Sequence, residues 1–166
     1  DRPPTRIAGS NTTKVRKLTR LAWGASLDLF GRVTYRVFVD GRQLVETQET
    51  QYVPKPGQIP DGTHRWQIHI IDRRGQLRQS RTRVLRVDNT PPTLRVSLSK
   101  RRRTLTVTAR AGDPNGRNPS GLSRVVVDVG NGRFVAMKTR FRHTYARTGR
   151  YRVRVKAIDK AGNETL

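Results

Sequence analysis

Gly149-Arg150-Tyr151-Arg152-Val153-Arg154-Val155-Lys156-Ala157-Ile158-Asp159-Lys160-Ala161-Gly162 is the stretch whose reading decides the fold. From Tyr151 to Ala157 apolar and cationic side chains alternate. On a pleated strand that pattern sends one set to a core and the other to water. The same design stands 87 residues earlier as Gly62-Thr63-His64-Arg65-Trp66-Gln67-Ile68-His69-Ile70-Ile71-Asp72-Arg73-Arg74-Gly75, with the bounding glycines in register. A repeat near ninety residues suits tandem β-domains rather than the short units of a solenoid.

Further alternation surrounds both copies. Leu94, Val96 and Leu98 alternate with Arg95, Ser97 and Ser99; Leu105, Val107 and Ala109 alternate with Thr106, Thr108 and Arg110. Turn signals separate the runs at Asp40-Gly41, Asp61-Gly62, Asn131-Gly132 and Gly162-Asn163. No stretch carries the period of an amphipathic helix. Asp88-Asn89-Thr90-Pro91-Pro92-Thr93 is the expected joint, because two prolines hold the chain extended and donate no ladder hydrogen bonds. These features predict an all-β chain of two tandem antiparallel sandwiches, 1–88 and 89–166. Tyr35, Val37, Trp66, Ile68 and Ile70 are expected in the first core. Leu94, Val96, Leu105, Val107, Tyr151, Val153 and Val155 are expected in the second.

The second half resembles PKD-type and bacterial Ig-like domains. His143-Thr144-Tyr145-Ala146-Arg147-Thr148-Gly149, followed by the alternating strand, is similar to the PKD pattern of a His-x-Tyr turn, Gly and a Tyr/Val strand. Ala157-Ile158-Asp159-Lys160-Ala161-Gly162-Asn163 resembles the ending of bacterial surface Ig-like repeats, and Ser120-Gly121-Leu122 through Gly130-Asn131-Gly132 resembles their hairpin. Val127-Asp128-Val129-Gly130-Asn131-Gly132 stands where the PKD pattern carries a tryptophan signature. The first half is similar to fibronectin type III-like or Ig-like repeats of bacterial exoproteins, through Leu21-Ala22-Trp23, Tyr35 to Gly41 and Asp61 to Trp66. The resemblance implies a non-catalytic structural, adhesion or assembly module of a bacterial cell-surface or secreted protein. Its implied partners are neighbouring domains or subunits of a larger surface assembly. Accessory domains of a secreted hydrolase are the alternative on the same grounds. The chain starts at Asp1 and its last strand looks unfinished at Leu166, so a longer parent protein is expected.

Charge is the strongest compositional signal. The 166 residues carry 35 Lys+Arg against 12 Asp+Glu, a net charge of +23. Residues 1–88 hold 17 basic and 8 acidic side chains, net +9, and residues 89–166 hold 18 and 4, net +14. Cysteine is absent, which excludes disulfides, thiolate metal sites and a cysteine nucleophile. No apolar run approaches a membrane span. No nucleophile elbow, phosphate-binding loop or dinucleotide fingerprint occurs, so no enzyme class, cofactor or catalytic residue is expected. His64, His69 and His143 lack metal-ligand spacing; His143 is expected to cap a turn and the other two to lie at the surface or an edge. Asp40, Asp61, Asp72, Asp113 and Asp159 fall in turns, where a carboxylate holds backbone amides.

Two candidate sites remain. Asp113, Asn115 and Asn118 in the loop Gly112–Gly121 offer oxygen ligands to a hard cation such as calcium, although Arg117 between them opposes it. An ordinary Asx-turn loop fits the same residues. The second candidate is a polyanion-binding surface formed by Arg152, Arg154 and Lys156 on one strand face, Arg101, Arg102 and Arg103 at a hairpin tip, and Arg140 and Arg142 beside His143. Its partner would be an acidic polysaccharide, an anionic cell-surface or cell-wall polymer, or a nucleic acid. The competing reading is a solvated outer face whose arginines discourage edge-to-edge pairing. No aromatic interleaves with Arg152, Arg154 and Lys156 along the chain, so stacking of bases there is not expected.

Overall fold

The computed structural model describes residues 17, 18, 20–26, 31–114 and 119–166. It divides into two compact units, Asp1–Asp88 and Asn89–Leu166. Every strand pairing is antiparallel, and among the described residues there is no helix.

The first unit contains β1 (Leu21–Ala22), β2 (Thr34–Val39), β3 (Arg42–Thr47), β4 (Gln51–Tyr52), β5 (Gly62–Ile71), β6 (Leu77–Gln79) and β7 (Arg83–Val87). β1 pairs with β4, and β3-β2-β5-β6 form the larger sheet, with β7 also on β5. The two-residue turn between β2 and β3 needs positive φ at both positions. Asp40 and Gly41 supply it, at φ 49° and 79°. Period 2 is visible along β5: His64, Trp66, Ile68 and Ile70 are buried while the residues between them are not. Trp66, Ile68 and Ile70 pack with Tyr35, Val37, Leu85 and Val87 in one core, which also takes Leu21 and Trp23. The five residues expected in this core are all buried. Tyr35 anchors the edge of the core, its hydroxyl accepting a 2.8 Å hydrogen bond from the Ser26 amide.

The second unit contains β8 (Thr93–Arg101), β9 (Thr104–Gly112), β10 (Leu122–Asp128), β11 (Val135–Met137), β12 (Arg140–Thr144), β13 (Arg154–Asp159) and β14 (Glu164–Thr165). One sheet runs β12-β9-β8 and the other β11-β10-β13-β14. Leu105, Val107, Ala109, Val125, Val127, Val155 and Ala157 are buried at their shared centre.

Two residues expected in that core are not in it. Val96 is 43% exposed and Tyr151 41% exposed. Leu94 and Val153 are half-buried at its margin. Alternation assigns Val96 to the inner face, and there it lines an open cleft with Leu98, Val153 and Val155. The regular strand begins at Arg154 rather than Tyr151. Tyr151 instead stacks on Tyr145, ring centroids 3.8 Å apart. His143 is not in a turn; it lies on β12 opposite Leu105. His64 is buried rather than at the surface, because its two ring nitrogens meet Asp40 Oδ2 at 2.7 Å and the Pro60 carbonyl at 2.8 Å.

Candidate functional site

The acidic side chains show what the turns require of them. Asp72 Oδ1 accepts from the amides of Arg74 and Gln76, at 2.9 and 2.7 Å. Its counterpart in the repeat, Asp159, accepts through Oδ1 from Gly162 and Asn163, at 2.7 and 2.8 Å. Asp40 Oδ1 takes the Arg65 amide at 2.8 Å. Burial raises the Asp40 carboxyl, but the Arg65 amide and the His64 ring outweigh it and hold it below the usual carboxylate value. Asp128 accepts from the amides of Gly130, Asn131 and Gly132 through one oxygen. Each of these carboxylates does the work of a turn.

Of the proposed cation ligands, Asn115 and Asn118 lie outside the described residues. Asp113 Oδ2 accepts from the amide of Gly121 and, at 3.5 Å, from Ser120 Oγ; Oδ1 is buried without a hydrogen-bond partner.

The structure divides the expected cationic residues into two groups. Arg154, Lys156 and Arg103 are engaged. Arg154 donates to Asp128 Oδ2 from Nε at 3.1 Å and Nη2 at 2.7 Å, and Lys156 Nζ lies 2.7 Å from Glu164 Oε2. Arg103 Nη1 donates to the Ala146 carbonyl at 2.6 Å. An aromatic ring also enters this face. Phe134 places its centroid 5.2 Å from the Arg154 guanidinium and 5.5 Å from Lys156 Nζ. It comes from the adjoining chain segment before β11, so spacing along β13 did not reveal it.

Arg140 and Arg142 belong to the second group. On β12 they stand opposite Thr108 and Thr106 of β9, which in turn face Ser97 and Ser99 of β8. Leu105, Val107 and Ala109 are buried, so these threonines point to the opposite, outer face. The same parity adds Arg95, Arg101 and Arg110. Arg95 and Arg110 are directly opposite one another. The outer face of β12-β9-β8 therefore carries five exposed arginines around rows of serine and threonine, and no carboxylate belongs to these strands. Arg102 sits at the tip of the β8–β9 hairpin with φ 53°, in the left-handed region. Arg95 and Arg110 were readable as wet positions from their alternation. Their apposition was not, because it depends on the hairpin register.

No family model matches the chain, and no curated protein matches it. Solved structures do. The fibronectin(III)-like modules of Clostridium thermocellum CbhA superpose with a TM-score of 0.56 at 13% identity, over 96% of this chain and 89% of that one. The central fibronectin-III array of RIM-binding protein gives a TM-score of 0.35 at 22% identity, over 98% of this chain and 59% of that chain. Bacteroides uniformis beta-glucuronidase 3 gives 0.39 at 13% identity, over 98% and 24%. The antiparallel pairing, the paired sheets and the first of these likenesses agree: the chain has a fibronectin III-like, all-β sandwich fold.

Proposed function

We propose that this chain is a non-catalytic accessory module of an extracellular bacterial protein, serving adhesion or assembly beside other domains. The observation that carries this reading is the use of the acids. Asp40, Asp72, Asp128 and Asp159 all have oxygens committed to turn amides, the arrangement of a scaffold rather than of a general acid or base. Similarity of fold to modules of CbhA supports an accessory role. The PKD-type or bacterial Ig-like identity of the second unit belongs to the same reading. Its test is a purified-chain assay against glycoside, peptide, ester and phosphodiester substrates. No turnover is expected. Activity that co-purifies with the chain and disappears in a point variant would overturn the reading.

A specific observation favours a second role, polyanion binding on the outer face of β12-β9-β8. Like charges directly opposite across a ladder destabilise it, yet Arg95 faces Arg110 without a carboxylate on these strands. A non-glycine residue in the left-handed region costs about 1–2 kcal/mol, yet Arg102 occupies it. A flat lattice of guanidinium and hydroxyl donors suits the regularly spaced anionic groups of an acidic polysaccharide or cell-wall polymer.

A further inference from the structure

The outer face of β12-β9-β8 is a lattice of uncommitted donors. Among the described residues, no side-chain hydrogen bond or ion pair engages Arg95, Arg101, Arg110, Arg140 or Arg142. Residues 89–166 hold four acidic side chains, and each works elsewhere. Asp128 takes Arg154, Glu164 takes Lys156, Asp159 holds the amides of Gly162 and Asn163, and Asp113 accepts from the amide of Gly121. Hydroxyls fill the space between the arginines. Those of Thr104 and Thr144 bond one another at 2.9 Å, whereas those of Ser97, Ser99, Thr106 and Thr108 bond no described residue.

Register sets the spacing of the cations. Arg95 faces Arg110 at one end, and the next rows across the sheet are Ser97-Thr108-Arg140 and Ser99-Thr106-Arg142. Arg140 and Arg142 are two residues apart on one strand, about 6–7 Å. Arg110 stands one strand over and two residues along from Arg140, roughly 8 Å away. Arg110, Arg140 and Arg142 therefore root a line of evenly spaced guanidiniums, with the open hydroxyls beside it. No aromatic side chain joins them. Phe141 and His143 alternate with the arginines of β12 and stand opposite the buried Val107 and Leu105, so they belong to the inner face. The face lacks the ring platform on which nucleic-acid bases stack.

We propose that this face binds a phosphodiester polymer without bases, of the poly(glycerol phosphate) kind; the proposal rests on the polyanion reading above. One glycerol phosphate unit contains as many main-chain bonds as two residues of extended backbone, so its phosphates recur at the two-residue step of a strand. Phosphates on Arg110, Arg140 and Arg142 each meet one guanidinium, whose paired N–H groups match two phosphate oxygens. Arg95 gives the end phosphate a second guanidinium. The hydroxyls of Thr106 and Thr108, one strand inward from Arg142 and Arg140, donate to or accept from the polyol oxygens. A polyuronate fits less well, because its carboxylates hang from rigid sugar rings and this face offers no aromatic ring to pack them.

The probes are fluorescein-labelled poly(glycerol phosphate), polygalacturonate and oligothymidylate, matched in charge, titrated at physiological salt and followed by anisotropy. The polyol phosphate should bind at least about tenfold more tightly than either other polymer. Arg140→Gln and Arg142→Gln, both at exposed positions, should each weaken it severalfold with the melting temperature unchanged. Replacing Thr106 and Thr108 together by valine, which keeps the shape of the side chains, should weaken the polyol phosphate and leave polygalacturonate binding as it was. Equal affinity for the three polymers, or a preference for either control, would overturn the phosphate assignment; if Arg140→Gln still weakened all three, the polyanion reading would survive it. Insensitivity of every probe to both arginine variants would overturn the two readings together.

Discussion

Arg154 and Asp128 form a two-pronged ion pair, Nε and Nη2 both donating to one carboxylate oxygen while the other oxygen holds the Gly130–Gly132 turn. Asp128 is buried, at 1% exposure. One carboxylate thereby locks a turn of β10 to the neighbouring strand. Asp128→Ala, which removes the acceptor of the turn amides as well as the partner of Arg154, should lower the melting temperature of the second unit by several degrees. Arg154→Ala should lower it less, since the turn amides keep their acceptor. Differential scanning calorimetry of the two variants ranks them, and the reverse order would refute this division of roles.

The same pair dictates an acid response. Arg154 first, then the turn amides, hold the Asp128 carboxyl below its ordinary value of 3.8 despite the opposing effect of burial. A carboxyl lowered in the folded state stabilises fully above its unfolded value. That contribution is lost as pH falls through the lowered folded value. Stability should therefore be flat in this term at neutral pH and decline below about pH 4, and Asp128→Asn should lose that part of the decline. Chemical denaturation at a series of acidic pH values measures it.

Trp23 and Trp66 both lie in the first core, and the second unit contains no tryptophan. Val107 is fully buried in the second core and Val37 in the first. Losing a buried valine forfeits about 1.5–3 kcal/mol, and an unpaired charge adds more. Val37→Asp should red-shift tryptophan emission. Val107→Asp should leave emission unshifted while β-sheet circular dichroism falls. A shift of equal size in both variants would show that the units do not fold separately.

Gly130 and Gly132 test the backbone of one turn. Both have positive φ, 102° and 79°. At Gly132 a Cβ would meet nothing, so Gly132→Ala carries only the conformational penalty, about 1 kcal/mol. At Gly130 it would lie 3.3 Å from Tyr151 Cβ and 3.4 Å from the Arg152 carbonyl oxygen, so Gly130→Ala should cost up to about 3 kcal/mol. Urea denaturation midpoints compare the two.

Polyanion binding should be localised. Reversing Arg95, Arg110 and Arg140 to Glu should weaken heparin binding more than reversing Arg73, Arg74 and Arg78, and more than reversing Arg152, Arg154 and Lys156. Two of the last three are already paired with carboxylates. Counterion release should reduce affinity severalfold between about 50 and 200 mM salt. Equal losses from the three sets would mean a diffuse surface property and no dedicated face.

The sequence by itself determined the long alternating strands, most of the turns and the place where the chain divides. Those rest on local physics: period 2 in the pleat, glycine and aspartate where φ is positive, and prolines that withhold a donor. Only the tertiary structure decided how the outward cations are used. Arg154 and Arg152 look alike in the chain, yet Arg154 is taken by Asp128, 26 residues away. Arg95 faces Arg110 only through the hairpin register, and Phe134 reaches Arg154 only across strands.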